Sequence, residues 1–425
     1  MSAPSASNPD ERLSPAASAL LGLLRPAGVL EVAARARKLP PPAWDEIIEL
    51  AQRHGVAPLL HRALQSGGAL AQLPEHVRTR LEQERRATAM LNMRKYGEFR
   101  RIAQALRERN IPLIALKGLH LADRVYPDIS LRPMSDLDIL VPRSEVERAI
   151  AAVQSVEYGF EEDVSDSARG MLATKCNIGL AHRRLGLWLE IHWTLAESGD
   201  CYAPPMEEIW RRATPGRIGD ADVQVMSPEF VLLHVCAHLA CNHVFGFDLR
   251  ALCDIAAIVQ AQPGPDWEIV ADQGRRHGWT RGVAVALRLA HEHLGADIPA
   301  QTLAALGADT LGPDLLADAM EHLFAFSGMP GELITAPNLL AVGGDATPGA
   351  KVAMLWNRIF VPRSELSLLY GVPEHSPRLG LYYAVRLRDL LRKYAASAWA
   401  LNVSDPRLAQ TAARHARLAR WIAGG

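Results

Sequence analysis

Near Ile111 the apolar period of this 425-residue chain changes, and that change limits the fold more than any other feature. From Ala16 to about Glu108, apolar residues recur at three- and four-residue steps: in AASALLGLLR, in WDEIIELAQRHGVAPLLHRAL and in the long stretch from Pro74 to Glu108. This is the spacing of helices that bury one face. The run Pro40-Pro41-Pro42 separates the first helices from the one opening near Trp44. Beyond Ile111, IPLIAL reads as a short buried strand, GLHLADRVY as a short helix and SDLDILV as a second strand, while Ser144 with Glu147 predicts a capping box opening the helix EVERAIAAVQSV. FEEDV, KCNIGLAHR and LGLWLEIHW read as further strands, the last two joined by a tight turn near Arg184–Gly186. Helical spacing returns at SPEFVLLHVCAHLACNH, entered through Ser227, Pro228 and Glu229, and continues through DLRALCDIAAIVQA, PDWEIVADQGRRHG and TRGVAVALRLAHEHLG.

The pattern predicts an α+β fold, predominantly helical overall, with a small mixed-sheet core between helical flanks. A chain this long exceeds what one core usually fills. The expected division is a disordered Ser/Ala/Pro-rich N-terminus at 1–14, an N-terminal helical region at 15–108, a catalytic core at 109–222 and a C-terminal helical domain at 223–425. Residues 325–350, rich in Gly, Pro and small side chains, are expected to form a loop or lid.

Eighteen positions after Gly118 an Asp-x-Asp lies inside the second apolar strand. Strand side chains alternate between faces, so Asp136 and Asp138 point one way while Leu137, Ile139 and Val141 point into a core. Carboxylates this close repel one another unless a cation or a proton lies between them. Mg²⁺ takes one or two carboxylates plus water and substrate phosphates, which suits a nucleoside triphosphate. A third carboxylate would let two metals be held, and Glu190 is the candidate. It shares its strand face with Trp188 and His192, while Leu187, Leu189, Ile191 and Trp193 take the other.

Taken in order, Lys117-Gly118, Tyr126-Pro127, Arg132, Asp136-Leu137-Asp138 and Glu190-Ile191-His192-Trp193 resemble the bacterial, largely uncharacterised nucleotidyltransferase family of the polymerase-beta superfamily. His234, His238, Arg250, Asp254 and the stretches PRSELSLLYG and YYAVRLRDLLRKY extend the resemblance, which runs from about Met90 to about Tyr394. It implies a nucleotidyltransferase core and an enzyme that moves a nucleoside monophosphate from an NTP, with ATP the expected donor, to a hydroxyl-type acceptor, releasing pyrophosphate. Asp136, Asp138 and Glu190 are then the catalytic and metal-holding residues, with two Mg²⁺ ions expected. Lys117, Gly118, Arg132, His192 and Arg250 are the expected nucleotide contacts.

Several of these residues carry a second reading. Gly118 serves either a phosphate-facing turn or a tight turn alone. Arg132 is either a phosphate ligand or the salt-bridge partner of a metal-holding Asp. His192 orients a carboxylate, contacts nucleotide, accepts a proton or simply packs. Arg250 and Asp254, four apart on a helix, form a structural pair or, for Arg250, contact the cleft. The cluster His234, Cys236, His238, Cys241 and His243 lacks a second paired motif for zinc, so its histidines are expected to line the cleft or pack between domains. Phosphoryl transfer would use the same parts as nucleotidyl transfer. A non-catalytic nucleotide- or partner-binding module is the competing reading, resting on Leu119, where the wider superfamily carries a second small residue.

Composition bounds the partners. A net charge of −1 argues against a dedicated nucleic-acid binder and a continuous basic groove. The acceptor is left as a small molecule, peptide or protein side chain. Residues 381–425, with eight Lys/Arg against two Asp, read as a solvated helix face or a docking surface for an acidic partner. Five scattered cysteines do not form a disulfide framework, and neither a signal peptide nor a membrane span is visible, so a cytoplasmic protein is expected.

Overall fold

The computed structural model describes residues 12–26, 29–160, 175–196, 202–246, 249–325, 356, 359–361, 363–370, 372–390, 392 and 406–424. Most of the expected disordered N-terminus, the strand FEEDV apart from Phe160, and the loop or lid at 325–350 apart from Ala325 lie outside these residues. The N-terminal helices are α1 (Pro15–Leu24), α2 (Val29–Arg37), α3 (Ala43–Arg53), α4 (Ala57–Ser66) and the long α5 (Glu75–Arg107). The stretch opening at Trp44 is thus two helices. Gly55, at φ +65°, takes the left-handed conformation that breaks them apart.

Seven strands form one mixed sheet: β1 (Ile114–Ala115), β2 (Leu137–Leu140), β3 (Tyr158–Gly159), β4 (Asn177–His182), β5 (Trp188–His192), β6 (Thr214–Ile218) and β7 (Ala221–Val225), in the order β3-β4-β5-β2-β1-β7-β6. The fold is α+β and predominantly helical, as the sequence patterning predicts. The hairpin β6–β7 goes beyond the sequence reading, and β7, parallel to β1, runs past the expected core boundary at residue 222. Between β1 and β2 comes α6 (Lys117–Arg124), and after β2 comes α7 (Val146–Gln154). The capping box does not form: a 3-10 turn at Arg143–Glu145 precedes α7, Glu145 stands at the N-cap, and no side chain caps it. Pro142 stands at the N-cap of that turn and Ser144 lies inside it, so Ser144 is not at a cap position.

Helix α8 (Met206–Arg212) leads into β6. The C-terminal helices are α9 (Pro228–Ala237), continued by a π-helical segment at His238–Asn242, then α10 (Leu249–Gln260), α11 (Trp267–Arg276), α12 (Thr280–Leu294), α13 (Ala300–Ala305), α14 (Pro313–Ala325), α15 (Arg363–Tyr370) and α16 (Pro406–Ala423). Among the described residues no helix is long and apolar enough to cross a membrane. Cys176, Cys236 and Cys253 are not in disulfides, whereas Cys241 is disulfide-bonded, which the scattered spacing did not predict because separation along the chain does not report separation in space.

Strand alternation divides the interior in two. Leu137, Ile139, Leu189, Ile191 and Trp193 face one apolar core, closed by α7 and the C-terminal half of α5 through residues such as Phe99, Ile102 and Ile150. Ile114, Leu116 and Leu140 face the other, and there the helices before and after the sheet share a single cluster, from Leu20 and Ile47 to Phe230, Leu252 and Leu418. The sheet is therefore sandwiched between layers that sequence distance keeps apart.

Helix α5 also holds the loop that leads into β2. Asn92 Nδ2 donates to the carbonyls of Ile129 (2.6 Å) and Arg132 (2.8 Å), and Lys95 Nζ donates to the Met134 carbonyl. These bonds fix the backbone that delivers Arg132 and Asp136 to the sheet edge.

Candidate active site

The parallel pairing of β2 with β5 sets Asp138 directly beside Glu190, with Leu140 beside His192. Neighbours in a parallel ladder point the same way, so Asp138, Glu190 and His192 meet on the face opposite the Leu137–Ile139 core. They line a cleft of about 850 Å³ together with Lys117, Asp136 and Asn177. Three walls close it: the α3–α4 turn with Gln52, Arg53, His54 and Gly55; the sheet edge; and the C-terminal helices with His234, His238 and Arg250. Outside the sheet region, the sequence reading brought only the histidine-bearing segment and Arg250, both after it, to the cleft. The N-terminal turn is an additional wall.

His192 Nε2 donates to Asp138 Oδ1 at 2.9 Å and lies 3.2 Å from Glu190 Oε2. Asn177 Nδ2 donates to the same Glu190 oxygen at 2.6 Å, and Lys117 Nζ to Asp138 Oδ1 at 3.4 Å. Asp138 is only 2% exposed. Burial would raise its carboxyl pKa, but the Lys117 ammonium and the His192 hydrogen bond outweigh that and hold it well below the ordinary range. His192 shows the reciprocal effect: burial opposes its charge, yet Asp138, Cys176 and Glu190 raise it to about 10. Glu190 is lowered, first by its hydrogen bond to His192. Asp136, just ahead of β2 and half-buried, accepts from Ser135 Oγ at 3.0 Å, and burial with the nearby Asp138 charge raises its pKa.

Lys117 opens α6 with a φ of +36°, a left-handed conformation that costs a non-glycine residue about 1–2 kcal/mol. The strain directs its ammonium at Asp138. Gly118 is packed rather than open: an added Cβ would lie 2.6 Å from Met134 Cγ and 2.9 Å from Arg132 Nη1. Arg132 itself rests on Asp254, at 2.9 Å, which also accepts from Tyr126 Oη at 2.8 Å. Of the partners considered from sequence, neither a metal-holding Asp for Arg132 nor Arg250 for Asp254 is what the fold selects, because α10 brings Asp254 under the loop before β2. Arg250 instead donates to the Pro133 carbonyl at 3.2 Å, with its side chain against Gly55.

The histidine-rich segment forms no ligand cluster among the described residues. His234 and His238 meet edge to face with 6.1 Å between ring centroids, and the His238 and His243 centroids lie 4.5 Å apart. Burial and the charges of Lys117 and His192 lower His234 to about 3, so it is neutral, and neither ring nitrogen has a protein partner. Burial raises the Cys236 thiol, which leaves it protonated.

Two contributors escaped the sequence reading. Asn177 was read only as part of a strand, although counting outward from the Arg184–Gly186 turn places it opposite His192. Lys95 sits on α5 with no local signal, yet its buried amine is close enough to Asp136 to feel its charge. Gly179, paired with Glu190, leaves room for the Trp188 indole, which an added Cβ would meet at 2.2 Å.

The donor set suits a divalent cation. One ligand atom each from Asp138, Glu190 and His192 lie within 4.8 Å of one another, two of them carboxylate oxygens held by neighbouring cationic donors in the ionised state. Asp136 lines the same cleft without joining that group.

No curated protein and no solved structure matches the chain. A family model described as uncharacterised nucleotidyltransferase matches residues 40–295, which spans the α3–α4 turn, the whole sheet and the histidine-bearing helices. Since that match takes in more than half of the chain and every residue placed around the cleft except His415, the chain belongs to the uncharacterised nucleotidyltransferase family.

Proposed function

We propose that the cleft transfers a nucleoside monophosphate from an NTP, with ATP the expected donor, to a hydroxyl-bearing acceptor and releases pyrophosphate. The supporting observation is the register of Asp138 beside Glu190 in the lining of a cleft large enough for a nucleotide and part of an acceptor. Asp136, Asp138 and Glu190 would hold Mg²⁺, which would supply Lewis-acid activation of the acceptor oxygen and neutralisation of phosphate charge.

The chain's own residues do the positioning. Lys117, strained toward Asp138, places a fixed ammonium where the triphosphate meets the carboxylates. Arg250, which donates to the Pro133 carbonyl and packs against Gly55, lines the cleft on the helical wall, where its charge would face the phosphates. Arg132, tied to Asp254, holds the loop from which Asp136 projects and borders the phosphate path. Asn177 orients Glu190 toward the acceptor side. The acceptor hydroxyl would give up its proton to a cleft carboxylate or to solvent as its oxygen attacks the α-phosphorus, and the α–β phosphoanhydride bond would break to release pyrophosphate.

Incubating the purified chain with α-labelled NTPs, Mg²⁺ and panels of hydroxyl compounds, peptides and proteins tests this reading. Label should pass to an acceptor with stoichiometric pyrophosphate, and Asp138→Asn should abolish both. NTP-dependent thermal stabilisation with no pyrophosphate under any condition would leave a nucleotide-binding module instead.

A further inference from the structure

His192 occupies a place that a site built for Mg²⁺ alone does not require. Its ring is 4% exposed and wedged between two carboxylates, with Nε2 2.9 Å from Asp138 Oδ1 and 3.2 Å from Glu190 Oε2. Two ligands at right angles, each about 2.1 Å from one ion, stand about 3 Å apart. Both separations match that edge, and all three atoms lie within 4.8 Å of one another. The strands impose this spacing: Glu190 and His192 are alternate residues of β5, and Asp138 is paired with Glu190 on β2. The Asn177 amide further pins Glu190 from β4.

Nitrogen and oxygen donors differ in what they select. Mg²⁺ takes oxygen and water, whereas an imidazole nitrogen favours first-row transition ions. We infer that His192 Nε2 is a metal ligand together with Asp138 and Glu190, forming an inner site that takes a divalent transition-metal ion in preference to Mg²⁺. Asp136 is outside this triad, which leaves it and Asp138 Oδ2 for the cation that arrives with the nucleotide. Without a cation the proton on Nε2 bridges the two carboxylates; a bound ion takes that proton's place.

The inference rests on the nucleotidyltransferase reading only for the location of the metal, and it is tested without turnover. The full chain, stripped of metal and labelled with ¹⁵N-histidine, is titrated with Mn²⁺ in the absence of nucleotide, and electron–nuclear double resonance reads the coupling of the bound ion. A directly ligated ¹⁵N coupling is expected in the unmutated protein, with Mn²⁺ bound at least about tenfold more tightly than Mg²⁺. His192→Gln should remove the coupling and weaken Mn²⁺ about ten- to hundredfold while leaving Mg²⁺ affinity within about twofold. Bound Mn²⁺ without nitrogen coupling, or equal losses for both ions, overturns the inference. If Mg²⁺-supported transfer occurs and nitrogen coupling is absent, the transferase reading survives alone. If coupling is present and no NTP releases pyrophosphate, the metal site survives alone.

Discussion

The two faces of the central sheet carry opposite kinds of side chain from the same strands. On one face Leu137, Ile139, Leu189 and Ile191 are fully buried against α5 and α7. On the other, one residue along, Asp138, Glu190 and His192 interlock around a cleft. The first face is held by apolar area removed from water, which is non-directional and tolerant of small shifts. The second depends on charges whose energies change steeply with distance and which only a partner or ion can compensate. Mutations should therefore separate cleanly, harming stability on one face and chemistry on the other.

The sharpest break is Asp138→Asn. Pyrophosphate release should fall by at least about a thousandfold, since the residue would hold metal and meets both Lys117 and His192. Circular dichroism should show the fold retained. Activity within tenfold of the unmutated chain would remove the site from this face.

Its counterpart is the neighbouring Ile139→Ala, which should cost about 2–5 kcal/mol in urea unfolding. Turnover per folded molecule should stay unchanged. A large loss of turnover at full folding would show that the two faces are coupled.

Gly118→Ala probes the boundary. Its Cβ would press on Met134 and Arg132, moving the loop that carries Asp136, and kcat/KM for the NTP should drop roughly ten- to a hundredfold. Steady-state kinetics against thermal melting would show whether the effect is on the site alone.

The smallest effect concerns the far wall. His322 Nε2 and His415 Nδ1 are 3.1 Å apart where α14 meets α16, and His415 also borders the cleft. Burial lowers both pKa values, that of His415 to about 4. Unfolded histidines titrate near about 6.5, so the unfolded chain binds more protons below that pH. The stability these neutral rings contribute is complete above about 6.5 and is lost as pH falls toward 4. Tm should drop by a few degrees, about 2–4 °C, over that interval, and His415→Gln should flatten the decline in a pH series of melts.

The comparison also shows which parts were legible beforehand. Strand period alone separated Leu137 and Ile139 from Asp138, and Glu190 with His192 from Leu189 and Ile191, because alternation is a local property of extended backbone. The joint order of Lys117-Gly118, Tyr126-Pro127, Arg132, Asp136-Leu137-Asp138 and Glu190-Ile191-His192-Trp193, extended by the later helical residues, pointed to the family. What stayed hidden involved residues far apart in sequence: Lys95 beneath Met134, Asp254 under Arg132, and Gly55 against Arg250. Each pairing depends on how helices dock, and no local pattern encodes that. The hairpin β6–β7 was not hidden in this way: ADVQV alternates apolar and polar residues after Gly219, the local pattern of a half-buried strand, and the sequence reading passed over it.

By itself the chain's order of residues determined which side chains share a strand face and which period each segment follows, because steric rules act within a few residues. Tertiary structure decided the partners of the charges around the cleft. It set Glu190 beside Asp138 through a parallel register, gave Arg132 to Asp254, and merged the flanking helices into one core. Those outcomes depend on burying apolar surface from distant segments together, a global sum that no window of sequence contains.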